Sequence, residues 1–323
     1  MDVMEMKINR LPYIGNGAYC YANSTSMLLA SINEDISPSE LEVLSGVGLG
    51  AFLYKDKDTN FLFFGWDWPD NGIDNTLKIL GFRSSRKNTL KTEQPPINKL
   101  KKDLEKSVAV VGPLDMGYLV YNPRCFNLSG ADHFVVVYRM TEEEVYLHDP
   151  AGFPCVQLPM KKFELAWRAE KVSYGKDNFS YWIAPKRLRS PTEEEVYQGA
   201  IRLFRLLYQH CDERAKGEGW IIGKRAILSM AERVEERKIT QSEIEHLTYF
   251  ALQLGAKRAL DYASFFDFYD LDLAALKYQQ AELFGRSHTF LVAKNFQSFA
   301  KELRKLAEVE DEFRIKLLEK GIK

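Results

Sequence analysis

The segment Gly15-Asn16-Gly17-Ala18-Tyr19-Cys20 runs directly into Tyr21-Ala22-Asn23-Ser24-Thr25-Ser26-Met27-Leu28-Leu29. Glycines that permit a tight, exposed turn precede an apolar helical pattern. This predicts a helix from about Tyr21 to Ile32 with Cys20 at or near its N-terminus. The free amides and positive dipole end at such a position favour thiolate over thiol. The same amides can receive an oxyanion, in company with a side-chain amide from Asn16 or Asn23, and Tyr19 flanks the sulfur as a substrate contact. Taken alone, the segment reads more readily as a core helix carrying an inert cysteine. Its partners decide between the two.

His133 ends Gly130-Ala131-Asp132-His133 and is followed at once by Phe134-Val135-Val136-Val137-Tyr138, a buried-strand pattern. A histidine at the mouth of such a strand is rigid on one side and open on the other, as a general base requires. Val145-Tyr146-Leu147-His148-Asp149 then ends in an acid before Pro150-Ala151-Gly152. If the two strands form a hairpin, Asp149 meets His133 at one end of the sheet, where it fixes the imidazole tautomer and stabilises imidazolium. Cys20, His133 and Asp149 are therefore the candidate catalytic residues. His148 should point to the opposite face of its strand. His210, His246 and His288 fall in helical stripes without metal-ligand spacing, so no metal site is expected.

Composition narrows the alternatives. The 323 residues are 46% hydrophobic and 28% charged, an ordinary globular balance. Lys plus Arg is 44 against 45 Asp plus Glu, so no basic surface points to nucleic acid. The four cysteines, Cys20, Cys125, Cys155 and Cys211, are too scattered for a disulfide framework or a zinc site. Gly46-Val47-Gly48-Leu49-Gly50 follows a helix rather than a strand and lacks the Gly-Lys-Ser/Thr of a phosphate loop. It reads instead as a wall that lets backbone approach an acyl chain, and no cofactor is expected. No apolar run approaches the ~18 residues of a membrane span, and the first twenty residues lack a signal-peptide core, so the expected compartment is the cytoplasm.

The texture changes near residue 190. Before it, helices are expected at Tyr21 to Ile32, Ser37 to Leu44, Asn75 to Leu80 and Ile97 to Lys106. Strands are expected at Val108 to Val111, Tyr118 to Tyr121, Phe134 to Arg139, Val145 to His148 and Tyr181 to Ala184. After Ser190-Pro191-Thr192-Glu193, apolar residues recur at helical spacing through Ile221 to Val234, Ile244 to Phe266, Leu273 to Phe284 and Phe296 to Leu318. The expected class is α+β: residues 1–187 as a catalytic domain and 188–323 as a helical domain, with enough apolar stripe to pair with a second copy. Phe61 to Asp70, with Trp66 and Trp68, reads as a substrate-lining loop or as plain packing.

A helix-borne cysteine facing a histidine and an acid from the sheet resembles the papain-like superfamily. More closely, the chain resembles the butirosin biosynthesis protein H family of acyltransferases. The likeness lies in Gly17 to Leu29, Ile36 to Leu41, Leu44 to Gly50, Val108 to Asp115, Leu119-Val120-Tyr121, His133 to Val137, Val145 to Pro150 and the helical region after about residue 190. The resemblance implies a papain-like fold and transfer of an acyl group from an acyl-carrier-protein thioester to a small-molecule amine through an acyl-cysteine, in secondary metabolism. Papain-like peptidases place an oxyanion-hole glutamine six residues before the cysteine, where this chain has Ile14. Asn16 or backbone amides are left for that role. A cysteine peptidase or amidase with the same three residues is the second reading, and a non-catalytic binding protein is the third.

Overall fold

The computed structural model describes residues 11–15, 17–56, 59–83, 85–92, 94–175, 178–218 and 220–320. The chain opens with α1 (Cys20–Ala30), α2 (Pro38–Ser45), β1 (Phe52–Asp56) and β2 (Thr59–Phe63). There follow α3 (Pro69–Ile79), β3 (Phe82–Arg83), β4 (Arg86–Leu90), α4 (Ile97–Leu104), β5 (Ala109–Asp115), β6 (Asp132–Met140), β7 (Glu144–Asp149), β8 (Phe153–Pro159), α5 (Met160–Arg168), β9 (Asn178–Ile183) and β10 (Lys186–Arg187). The remainder is α6 (Glu193–Glu218), β11 (Ile221–Ile222), α7 (Gly223–Glu235), α8 (Gln241–His246), α9 (Leu252–Phe266), α10 (Leu271–Val292) and α11 (Phe296–Glu319). The class is α+β, a sheet-rich part followed by a helical one.

Two units partition these elements: residues up to Leu41 with Trp68–Ser190, and Glu42–Asp67 with Pro191–Lys323. The second boundary lies close to the expected division at 187. The segment 42–67, assigned to the first domain by linear reading, groups instead with the helices. The reason is backbone pairing: β1 is the central strand of a three-stranded antiparallel sheet, β11-β1-β2, with Phe52 opposite Ile222 and Leu53 opposite Ile221. A two-residue partner so distant in sequence leaves no periodicity to read.

The first unit is built on a six-stranded antiparallel sheet in the order β4-β9-β5-β6-β7-β8. β5 and β6 are near-continuous apolar runs because both faces are covered. Val111, Val135, Val137 and Leu147 pack with Phe163 and Trp167 of α5 and Tyr181 of β9. On the other face Phe134 meets the Tyr21 ring of α1 edge-on at 6.3 Å. α1 is buried from Tyr21 to Leu29 although it contains Asn-Ser-Thr-Ser. Burying those hydroxyls is tolerable because each is bonded: Ser24 Oγ to Phe134 O at 3.1 Å, Thr25 Oγ1 to Tyr21 O at 2.7 Å and Ser26 Oγ to Ile36 O at 2.6 Å.

One expected strand is corrected. Tyr118 to Tyr121 does not join the sheet; Met116–Tyr118 is a single tight helical turn. Asp115 Oδ1 accepts from Gly117 N at 2.8 Å and Gly130 N at 2.9 Å, which pinches the chain out of the sheet at this point.

In the second unit the helix starts carry their own caps. Thr240 and Glu243 form a reciprocal capping box, and Asp270 and Asn295 accept from Leu273 N and Ser298 N. The expected helix Ile244 to Phe266 is continuous but contains a π-turn at Leu247–Ala251. Arg258 donates to Glu42 Oε1 at 2.7 Å and also to Phe64 O. A Cβ at Gly48 would lie 2.9 Å from Arg258 and 3.0 Å from Glu42. This close approach to a buried ion pair, rather than to an acyl chain, accounts for glycine there. Glu42 is fully buried, so Glu42→Ala takes its carboxylate from the largely buried guanidinium. We expect it to destabilise the protein by about 3–5 kcal/mol, with Glu42→Gln milder, as read from urea-unfolding midpoints.

Candidate active site

Strand register brings the histidine and the acid together. Val136 lies opposite His148 across β6 and β7, so the next rung sets Asp149 against Val135. His133 is two residues along the same face and becomes the diagonal neighbour of Asp149. His133 Nε2 and Asp149 Oδ1 are 2.6 Å apart. Asp149 has no solvent exposure, and its remaining lone pairs are supplied: Ala151 N–H donates to Oδ1 at 2.7 Å and the Tyr121 hydroxyl to Oδ2 at 2.8 Å.

These contacts set the charge state. Burial pushes the Asp149 carboxyl up, but the His133 charge and the hydrogen bonds from His133, Ala151 and Tyr121 outweigh it and hold the group below its ordinary value. Burial pushes His133 down, whereas Asp149 and then Cys20, by charge and by hydrogen bonding, carry it well above 6.5. The Cys20 sulfur therefore lies close enough to the imidazole to act on its charge. With Nε2 committed to Asp149, Nδ1 is the nitrogen left for sulfur.

The helix begins at Cys20 because Tyr19 adopts left-handed backbone angles, φ 57° and ψ 51°. Its first bond runs from Asn23 N–H to Tyr19 O at 2.9 Å, so the amides of Cys20 to Ala22 precede the hydrogen-bonded ladder. Cys20 itself is half-buried. Two ties fix it relative to the pair. Ser24 anchors α1 to β6 one residue from His133. On the other side, Gly17 N–H bonds Pro150 O at 3.3 Å, and the Tyr13 hydroxyl donates to Asp149 O and accepts from Gly152 N–H, both at 2.9 Å. A Cβ at Gly15 would lie 2.6 Å from Pro150 O, so glycine is what lets this loop lie against the Asp149 turn.

The expected oxyanion residues fare differently. Asn16 lies outside the described residues. Asn23 is buried, and its side-chain amide donates to Ala18 O and to Tyr19 O, the latter at 3.0 Å. Both of its protons are committed, so it holds the loop rather than reaching substrate. Tyr19 contributes its backbone turn, and its side chain is buried. Residues not singled out in the sequence also converge here: Tyr121 and Tyr13 on Asp149, and Tyr174, which donates to Asp132 Oδ2 at 2.6 Å and stacks on Trp68 at 4.6 Å. Burial first, then Asp132 and Cys20, raise the Tyr174 phenol well above 10. His148 faces away, between the Tyr13 and Tyr138 rings, with Nδ1 accepting from Cys155 N–H at 3.0 Å. Burial lowers its pKa. Among the described residues no cluster of three or more His, Cys, Asp or Glu side chains could hold a metal, and no helix is long and apolar enough to cross a membrane.

Fold and site together define an α+β protein in which a half-buried cysteine at a helix start faces a buried histidine–aspartate pair. The chain belongs to the YobF family. It is 41% identical over 311 residues to Uncharacterized protein YobF of Bacillus subtilis (strain 168), covering 96% of this chain and 99% of that one. Residues 216–318 match the family model for the YobF C-terminal domain. A crystal structure of a Bacillus anthracis protein described as a C39-like peptidase is similar over 56% of this chain and 96% of that chain, with 16% identity and a TM-score of 0.38.

The pair makes a prediction with a definite sign. His133, raised above 6.5, stabilises the fold fully below that value and stops doing so as pH rises through its folded pKa. Asp149, held below 3.8, stabilises the fold above that value and stops as pH falls through its own folded pKa. The stability advantage of wild type over Asp149→Asn should therefore be largest between pH 3.8 and 6.5, fade as pH rises through the folded pKa of His133, and shrink at low pH. The NMR titration midpoint of His133 should fall in the variant. An unchanged midpoint would show that Asp149 does not set the charge of His133.

Proposed function

We propose that the chain is a cysteine-nucleophile acyltransferase that moves an acyl group from a thioester to an amine. The observation that carries the cysteine chemistry is the buried imidazole bonded to Asp149 at 2.6 Å, beside a half-buried cysteine at a helix start that acts on its charge. The acyl-transfer part rests on the sequence resemblance to the butirosin biosynthesis protein H family, with an acyl-carrier protein or another thioester as donor and a small-molecule amine as acceptor.

The chemistry follows from the groups present. Cys20 Sγ attacks the thioester carbonyl as His133 takes the thiol proton, and the negative oxygen that forms lies by the first amides of α1. Collapse breaks the bond to the donor sulfur, which leaves with the proton from His133. The acceptor amine then attacks the acyl-cysteine, His133 takes a proton from nitrogen, and Cys20 is released protonated. Asp149 remains ionised throughout and stabilises the imidazolium. Water in place of the amine would turn the same sequence of steps into hydrolysis.

Intact-mass spectrometry after incubation with acyl-pantetheine thioesters should show one acyl adduct. Cys20→Ala should abolish it, and His133→Ala should slow its formation by roughly 100-fold or more. Added amines should discharge the adduct as amide. Discharge to free acid alone, together with peptide cleavage, would favour the peptidase reading. No adduct with any thioester, and no alkylation of Cys20, would reject the nucleophile.

A further inference from the structure

We infer that Tyr121 is a positioning residue of the site: its hydroxyl on Asp149 Oδ2 keeps that carboxylate ionised and aimed at His133, and through His133 it governs the reactivity of Cys20. The inference rests on reading Cys20 as the nucleophile. Its geometric basis is a division of labour between the two carboxylate oxygens. Oδ1 holds His133 Nε2 at 2.6 Å and Ala151 N–H at 2.7 Å. Among the described residues, the Tyr121 hydroxyl, at 2.8 Å, is the donor given to Oδ2.

Asp149 is fully buried, so removing that donor leaves Oδ2 without the protein partner that replaces its hydration. A carboxylate oxygen in that condition is where a proton adds, because protonation then spares a bare buried charge. A neutral Asp149 no longer holds His133 as imidazolium, and transfer of the thiol proton to the ring loses its driving force. The tyrosine is built for the task. Its ring is set edge-on against Phe153 at 5.6 Å, on the strand that begins after the Asp149 turn. Burial first, and then the Asp149 charge, hold its phenol well above 10, so it donates at every pH at which the site could work. The tight turn at Met116–Tyr118, fixed by Asp115, delivers the residue to this place from outside the sheet.

The test sets two tyrosines on the same aspartate against each other. Tyr13 bonds the Asp149 main-chain oxygen and Gly152 N–H, so Tyr13→Phe loosens the turn while leaving Oδ2 its donor. Tyr121→Phe removes that donor and keeps the ring. His133 is titrated by NMR in each full-length protein, and alkylation of Cys20 by iodoacetamide is followed against pH. Tyr121→Phe should lower the His133 midpoint by about one pH unit, tenfold in proton affinity, and slow alkylation at neutral pH several-fold. Tyr13→Phe should leave the midpoint in place. Tyr121→Gln, which restores a donor, should return it towards wild type, and it serves as the second variant if Tyr121→Phe does not fold. An unchanged midpoint in Tyr121→Phe, or equal shifts in the two Phe variants, overturns the inference. If Cys20 resists both alkylation and thioesters in wild type, the proposed function fails, yet the His133 midpoints still decide the role of Tyr121.

Discussion

A carboxylate removed from water keeps its charge only where donors and a counter-charge replace its hydration, and the region around Asp149 is arranged to that end. Its side chain receives His133, Ala151 and Tyr121, and its main-chain oxygen receives Tyr13. Each donor comes from a different piece of chain. β6 supplies the imidazole, the turn after β7 the amide, the excursion after β5 one phenol, and the segment before α1 the other. Satisfying one buried acid thus fixes the register of two strands, the exit of a third and the course of the chain leading to Cys20. A β6–β7 register slipped by one residue would turn Asp149 to the other face and leave it unsatisfied.

The pair itself was legible because its signals are local. His133 heads a Val-rich strand, Asp149 closes the next one before a Pro-Gly turn, and a short hairpin joins them; pairing then follows from period-two geometry. Cys20 was legible for the same reason, since a glycine-rich turn running into an apolar helical pattern fixes where the helix starts. Tyr121 was not. Tyr118 to Tyr121 has strand composition, and the Asp115 hydrogen bonds that break it involve an amide fifteen residues away, at Gly130. The hairpin at Phe52–Phe63 is illegible on similar grounds, its third strand being two residues near position 221.

Residue type and residue direction separate most clearly at Asn23. An amide one turn into a helix that begins with a cysteine has the right chemistry to stabilise an oxyanion. Nothing in the sequence says that its protons point back to Ala18 and Tyr19. That backward aim has its own logic. Tyr19 sits in a left-handed conformation worth of order 1 kcal/mol or more of strain, and its carbonyl receives both the main chain and the side chain of Asn23. Asn23 therefore holds in place the turn that makes Cys20, rather than a later residue, the first of the helix.

The second unit faces the same desolvation problem and resolves it with paired charges. Arg258 is paired with Glu42, and a guanidinium does not give up its proton in a protein, so that pair can only hold structure. Lys277 is pushed down to about 8, chiefly by burial, so its charge is adjustable. It is spent on Gln280 at 2.9 Å and lies over the Phe313 and Tyr262 rings at 3.8 and 5.3 Å. The polar neighbours of that amine, Gln280 and Glu310, are themselves hydrogen-bonded, with Glu310 accepting from both Gln280 and Tyr208. A titratable buried group becomes chemically useful when a nucleophile shares its proton. In the first unit the His133 imidazole lies near a half-buried sulfur, whereas the Lys277 ammonium is enclosed by aromatic faces and partnered acceptors. Burial alone is common to both; what differs is the third group beside the titratable one, a sulfur in the first unit and aromatic faces in the second.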